Sequence, residues 1–222
     1  MKAFAFIFTA LFGFTAWSAT QKLADYPAHW WKPVPRDTAP DWEILPQDAG
    51  PGEVILSKRN ELGILSNFAP TAFKFEGKQY ASLEGFWQMM KYPEGPKDAR
   101  LKDKSIQWPY TRDQVAQMTA FDAKKAGSVA SKNMEKLGIN WVTYKGRKMD
   151  YRVIEKGTHY DLIKRAMGEK LAQNQDVKNI LLQTGDLLLR PDHKQDDPTP
   201  PAWKYHEIWM EYRAELLAGK DK

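Results

Sequence analysis

The chain has 222 residues, 42% of them hydrophobic and 27% charged, with no cysteine and a formal net charge of +5. That length accommodates one buried core plus extensions, and the missing cysteines exclude a disulfide framework, a thiolate metal site and a cysteine nucleophile. Basic residues are interleaved with acids along the chain, which favours solubility and small anionic ligands over a nucleic-acid stripe.

Residues 1–18 read as a signal peptide: Lys2, an apolar run from Ala3 to Ala16, and the small-x-small end Ala16-Trp17-Ser18. The run is too short for a lasting membrane span, so the expectation is export to the periplasm or beyond, without stable membrane insertion. Residues 19–52 form a lead-in in which Pro27, Pro33, Pro35, Pro40, Pro46 and Pro51 forbid regular helix. Trp30, Trp31 and Trp42 in the same stretch predict a segment that wraps the domain surface, pinned by its rings. A Pro/Trp-rich partner motif is the alternative.

The domain proper is expected over 53–218. Glu53–Ser57 is a strand candidate. A strand pair over Ala72–Phe75 and Gln79–Ala81 turns at Glu76-Gly77-Lys78. Ser82 caps a helix from Leu83 to about Tyr92 that stops at Pro93. At about 100° per residue, Leu83, Phe86, Trp87 and Met90 take the apolar face, while Glu84, Gln88 and Lys91 form a polar stripe. Such a stripe is ordinarily a solvated face. Downstream, Lys97–Lys104 suggests a short basic helix, Thr111 opens one to about Met118, and Thr119 opens another to about Leu137 with a break near Gly127. Trp141–Tyr144 and Gly146 read as a turn. Thr158 starts a helix to about Ala172, Asn174 caps one over Val177–Thr184, Asp186–Arg190 is a strand, and a final helix covers about Ala202–Leu217. The pattern is a mostly helical, single α+β domain with a few short strands.

The run Ser66-Asn67-Phe68, the short hairpin, and Ser82-x-Glu84-x-Phe86-x-Gln88-x-x-Lys91 resemble the signature of the NADAR superfamily, the YbiA-like N-glycosidases. Further stretches resemble the same superfamily in the same order: Ala123–Gly127, Lys164–Asn174, Ile180–Gly185 with Leu187–Arg190, and Ile208–Arg213. Together they cover about residues 53–217. The resemblance implies a YbiA/NADAR-like fold and hydrolysis of N-glycosidic bonds in ADP-ribosyl-guanine or riboflavin-pathway ribosyl phosphates. Glu84 falls on the family's catalytic carboxylate, and Asn67, Gln88 and Lys91 fall near the ligand. Trp203 and either Asp196 or Asp197 stand where the family carries a Trp and an Asp, as candidates for ligand contact and for a second acid; Asp192 is weighed beside them. Trp87 is a further ligand-platform candidate, with core packing its alternative. The sequence departs from the family at Gly85, where a histidine is usual, and after Asp197, where the family's W-G-x-G glycines are missing.

Cleaving a C–N bond to ribose builds oxocarbenium character, which calls for one carboxylate at the sugar and a means of stabilising the departing base. The four histidines, at 29, 159, 193 and 206, lack metal-ligand spacing, and no phosphate loop, dinucleotide motif or serine-hydrolase elbow is present. The expectation is thus a cofactor-free and metal-free hydrolase for a small nucleotide-like ligand, meeting nucleic acid only where it is ADP-ribosylated. The alternative is a catalytically inactive ADP-ribose or nucleotide-binding module on the same fold.

Overall fold

The computed structural model describes residues 25–219; the leader read over 1–18 and the start of the lead-in lie outside them. The lead-in runs through three short 3-10 turns, Ala28–Trp31, Arg36–Thr38 and Pro46–Asp48. It ends in β1 (Glu53–Ile55), which pairs in parallel with β6 (Leu188–Arg190), Val54 facing Leu189. In β6 Leu189 is buried while Leu188 is 42% exposed, the period-two alternation of a strand with one wet face.

Two hairpins share one turn chemistry. β2 (Phe73–Phe75) pairs with β3 (Lys78–Tyr80), and β4 (Trp141–Tyr144) pairs with β5 (Arg147–Asp150). The two-residue loops Glu76-Gly77 and Lys145-Gly146 all take positive φ, which matches the right-handed twist of the strands they join. Trp141–Tyr144 is therefore a strand, not the turn expected from sequence.

The helices are α1 (Leu83–Met89), α2 (Arg112–Ala116), α3 (Ala120–Lys136), α4 (Thr158–Gln173), α5 (Gln175–Gln183) and α6 (Tyr205–Leu217). The α+β, mostly helical reading holds. α3 runs unbroken through Gly127, and the basic helix expected over 97–104 is only a 3-10 turn at Ala99–Leu101. There Arg100, fully buried, donates to Met90 O at 2.8 Å and pairs with Asp98, so a local ion pair occupies the chain instead of a helix. α1 ends at Met89 in place of Tyr92, and α6 begins at Tyr205 after a 3-10 turn over Pro201–Trp203.

Phe86 of α1 sits at the centre of the core, edge-on to Phe73, Phe75, Tyr80 and Tyr144 at 4.9–6.2 Å between ring centres. Burying this ring set anchors α1 against both hairpins and so fixes what its opposite face presents. No helix among the described residues is long and apolar enough to cross a membrane.

Candidate active site

The polar stripe of α1 is not solvated. Glu84, Gln88 and Lys91 are each no more than 8% exposed, and all three line a cavity of about 670 Å³. Gln88 Nε2 donates to Glu84 Oε1 at 2.8 Å, and Lys91 Nζ donates to Ser131 Oγ at 3.0 Å. Burial raises the Glu84 carboxyl above the ordinary carboxylate range, against the opposing pull of Gln88, Lys124 and Lys91. Burial likewise lowers the Lys91 ammonium to about 8. Desolvation outweighs the mutual attraction of the two groups at both partners, so neither charge is comfortably held.

Two glycines allow this arrangement. A Cβ on Gly85 would lie 2.5 Å from Met118 O and 2.9 Å from Val115 O, so α1 meets the end of α2 backbone to backbone. A Cβ on Gly127 would fall 1.8 Å from Gln88 Oε1; the glycine leaves α3 flat where Gln88 crosses it. The sequence marked Gly127 as a break, whereas its part is clearance.

The Ser66-Asn67-Phe68 loop is tied down from three directions. Lys170 Nζ donates to Ile64 O at 2.9 Å and Ser66 O at 3.1 Å. Trp209 Nε1 donates to Leu65 O at 2.6 Å, and the Glu84 backbone N–H donates to Asn67 O at 2.9 Å. Asn67 is thereby held at the cavity beside Glu84. Three buried polar atoms of residues lining the cavity, Asn67 Oδ1, Gln88 Oε1 and Trp203 Nε1, have no hydrogen-bond partner among the described residues. Buried polar groups are rarely left so, and their convergence on one space marks a ligand site.

Of the residues singled out from sequence, Asn67, Glu84, Trp87, Gln88, Lys91 and Trp203 all line this cavity. Trp87 serves both expectations, being 9% exposed in the core and edge-on to Trp203 at 6.5 Å. Asp196 and Asp197 do not join them. Both are exposed and off the lining: the polar loop over 194–198 keeps its acids in water, and the chain is buried again only at Thr199 and Pro200 before Trp203 reaches the wall. Glu84 is the one carboxylate among the lining residues. Asp192 is buried just behind the wall, paired with Lys58 and 3.1 Å from His193 Nδ1. Burial opposes its ionisation, but His193 and Lys58 prevail and hold its carboxyl below the usual range.

Sequence reasoning missed the cationic wall. Lys58, Lys124, Lys132, Arg152 and Lys194 line the cavity together with Lys91. Part of the signal was present: Lys124, Gly127, Ser128, Ser131 and Lys132 fall at i, i+3, i+4, i+7 and i+8 on α3, a single helical face. His193, given no role from its spacing, is a wall residue as well.

No family model and no curated protein matches the chain. Among solved structures, the NMR structure of the E. coli protein YbiA is similar, at 18% identity and a TM-score of 0.46, over 75% of this chain and 86% of that one. The likeness concerns the fold; the chemistry is argued from the cavity. Groups of three or more histidine, aspartate or glutamate side chains placed to hold a metal are absent among the described residues.

Proposed function

We propose that this protein is a hydrolase that cleaves the N-glycosidic bond of a ribosyl-phosphate compound, of the ADP-ribosyl-guanine or riboflavin-intermediate type, with Glu84 as its catalytic carboxylate. One observation carries the reading: a lone, strained carboxylate in a cavity otherwise walled by cations and by unpaired polar atoms. A structural acid would sit in a satisfied ion pair. This one is raised by burial and reached by a single side-chain donor.

The division of labour follows from charge. Lysines and Arg152 suit the phosphates, since an anion entering a cation-lined, partly dry cleft is attracted strongly. Asn67 and Gln88 offer amides for ribose hydroxyls. As the bond from C1′ to the base nitrogen lengthens, positive charge grows at C1′, and the Glu84 carboxylate stabilises it or takes a proton from the attacking water. The electron pair of the broken bond leaves with the base, which gains a proton. The products are the free base and the ribosyl phosphate bearing a hydroxyl at C1′. The same proposal takes the leader-like residues 1–18 as an export signal, with the reaction outside the cytoplasm, and N-terminal sequencing of the exported protein is expected to begin after Ser18.

The test is incubation of the purified protein with ADP-ribosylated guanosine, NAD and a riboflavin-pathway N-glycoside, beside Glu84→Gln. Base release is expected from the wild type on one of them, falling about 10²- to 10⁴-fold in the variant. The position of Asp196 and Asp197 away from the cavity favours a second reading, an inactive nucleotide-binding module. ADP-ribose binding with every substrate left intact would select it.

A further inference from the structure

We infer that the lead-in is part of the binding site: Trp42 is a stacking platform for the planar base of the ligand, so the strap, and not the domain alone, selects base-bearing ribosyl phosphates over bare sugar phosphates. The inference rests on the glycosidase reading for the identity of the ligand, and on separate observations for the role of the ring.

Three tryptophans of the lead-in behave differently. Trp30 is fully buried and donates from Nε1 to Glu61 Oε1 at 2.6 Å, and Trp31 donates to Glu53 O at 2.9 Å. These two anchor the strap. Trp42 is 46% exposed and lines the same cavity as Glu84. Its backbone is nonetheless held on the C-terminal side. Arg59 grips Glu43 with two hydrogen bonds of 2.7 Å, Glu43 bridges to His193 as an isolated β-pair, and Ile44 N donates to Asp192 O at 2.9 Å. A large ring left open to solvent on an anchored backbone loses little freedom when it meets a ligand, which is the condition under which an aromatic contact contributes most.

The neighbourhood also has the right composition. Lys58 Nζ stands 6.0 Å from the Trp42 ring centre and 5.1 Å from that of Phe68, and Lys58 and Phe68 both line the cavity. A cation shared by two aromatic rings on the cavity wall fits a ligand that is anionic at one end and flat at the other. Since the sequence stretches that resemble the family begin at about residue 53, the ring is supplied from outside that region. Its presence would make base recognition a property of this chain's own extension.

Isothermal titration of the full-length protein with formycin 5′-phosphate and with ribose 5-phosphate tests this. The first carries a purine-like base joined by a carbon–carbon bond that a hydrolase of N-glycosides cannot cleave. Trp42→Ala is expected to lose about 10- to 100-fold in affinity for formycin 5′-phosphate, the range of one base–aromatic stack, with ribose 5-phosphate unchanged. Trp42→Phe is expected to retain most of the affinity. Equal losses for both ligands would overturn the inference in favour of a strap that merely braces the wall, and so would no loss for either. Wild-type protein that binds neither ligand would remove the glycosidase reading itself, and this inference with it.

Discussion

Replacing Glu84 by glutamine separates a strained catalytic acid from a structural one, because the two predict opposite changes in stability. Glu84 is buried, its side chain receives one donor from Gln88 at 2.8 Å, and burial raises its carboxyl above the ordinary value despite Lys91 and Lys124. An acid raised on folding binds its proton more tightly in the folded state. Its ionisation therefore costs stability as pH rises above the unfolded value of about 4.5, and the cost levels off once pH passes the folded value. Each unit of displacement corresponds to about 1.4 kcal/mol. Glutamine keeps the shape and the acceptor for Gln88 Nε2 but carries no charge. Urea unfolding of both proteins from pH 4 to pH 8 is the assay. The curves are expected to coincide near pH 4 and to separate above it, with Glu84→Gln the more stable at pH 8. In a chain of this size each kcal/mol appears as a rise of about 2–4 °C in Tm. A variant that is less stable at pH 8 would refute the reasoning, showing that Lys91 and Lys124 more than offset desolvation and that Glu84 is a structural partner. A pH-independent difference would refute it as well.

Other consequences can be checked on the same footing. Gly127→Ala drives a methyl into Gln88 and is expected to cost about 1–3 kcal/mol, the range for overpacking; the added change Gln88→Ala should recover much of it, and a double-mutant cycle by urea unfolding measures the coupling. Lys170 is lowered by burial to about 7, so the unfolded chain binds its proton more readily than the folded one. Stability should thus climb between about pH 7 and 10 by up to 1.4 kcal/mol per unit, a slope that Lys170→Met removes while it loosens the Asn67 loop. Asp98 is opposed by burial, but Arg100 and backbone donors hold it at about 2. The stability it contributes is full above about pH 4 and lost toward pH 2, of order 2 kcal/mol, and Asp98→Asn should flatten that acid limb in thermal melts.

How much of this was legible in the sequence depends on what each feature required. Helix α1 was legible because its signals are local: Ser82 Oγ does accept from Gly85 N at 2.9 Å, and the apolar spacing of Leu83, Phe86 and Met90 decides which side packs. That the other side is buried was not legible, since the walls facing Glu84, Gln88 and Lys91 come from α3, from Tyr151 and Arg152 after β5, and from His193 and Trp203 after β6. A stripe of charge looks the same whether water or another element covers it. The second hairpin was missed for a different reason. Lys145-Gly146 is a two-residue turn whose first position takes positive φ without the usual Asn or Asp, so composition gave only half the cue. The acid pair failed at Asp196 and Asp197 because position along the chain says nothing of which way a proline-rich loop turns.

The two glycines set how closely the helices around this site approach one another. Gly85, next to Glu84, stands with three carbonyls at the end of α2 closed in on the place a Cβ would take, at 2.5–3.2 Å. No side chain fits there unless α1 and α2 move apart. Helix α1 thus packs closer to the end of α2 than any side chain at position 85 would allow. Beside Glu84 on the same stripe stands Lys91, lowered to about 8 by burial, and the cavity wall also carries His193, which is hydrogen-bonded to Asp192. Gly127 completes the same compaction on the other flank, letting Gln88 lie flat on α3 and reach Glu84. At both glycines close packing, with no side chain in the way, sets the position of the carboxylate.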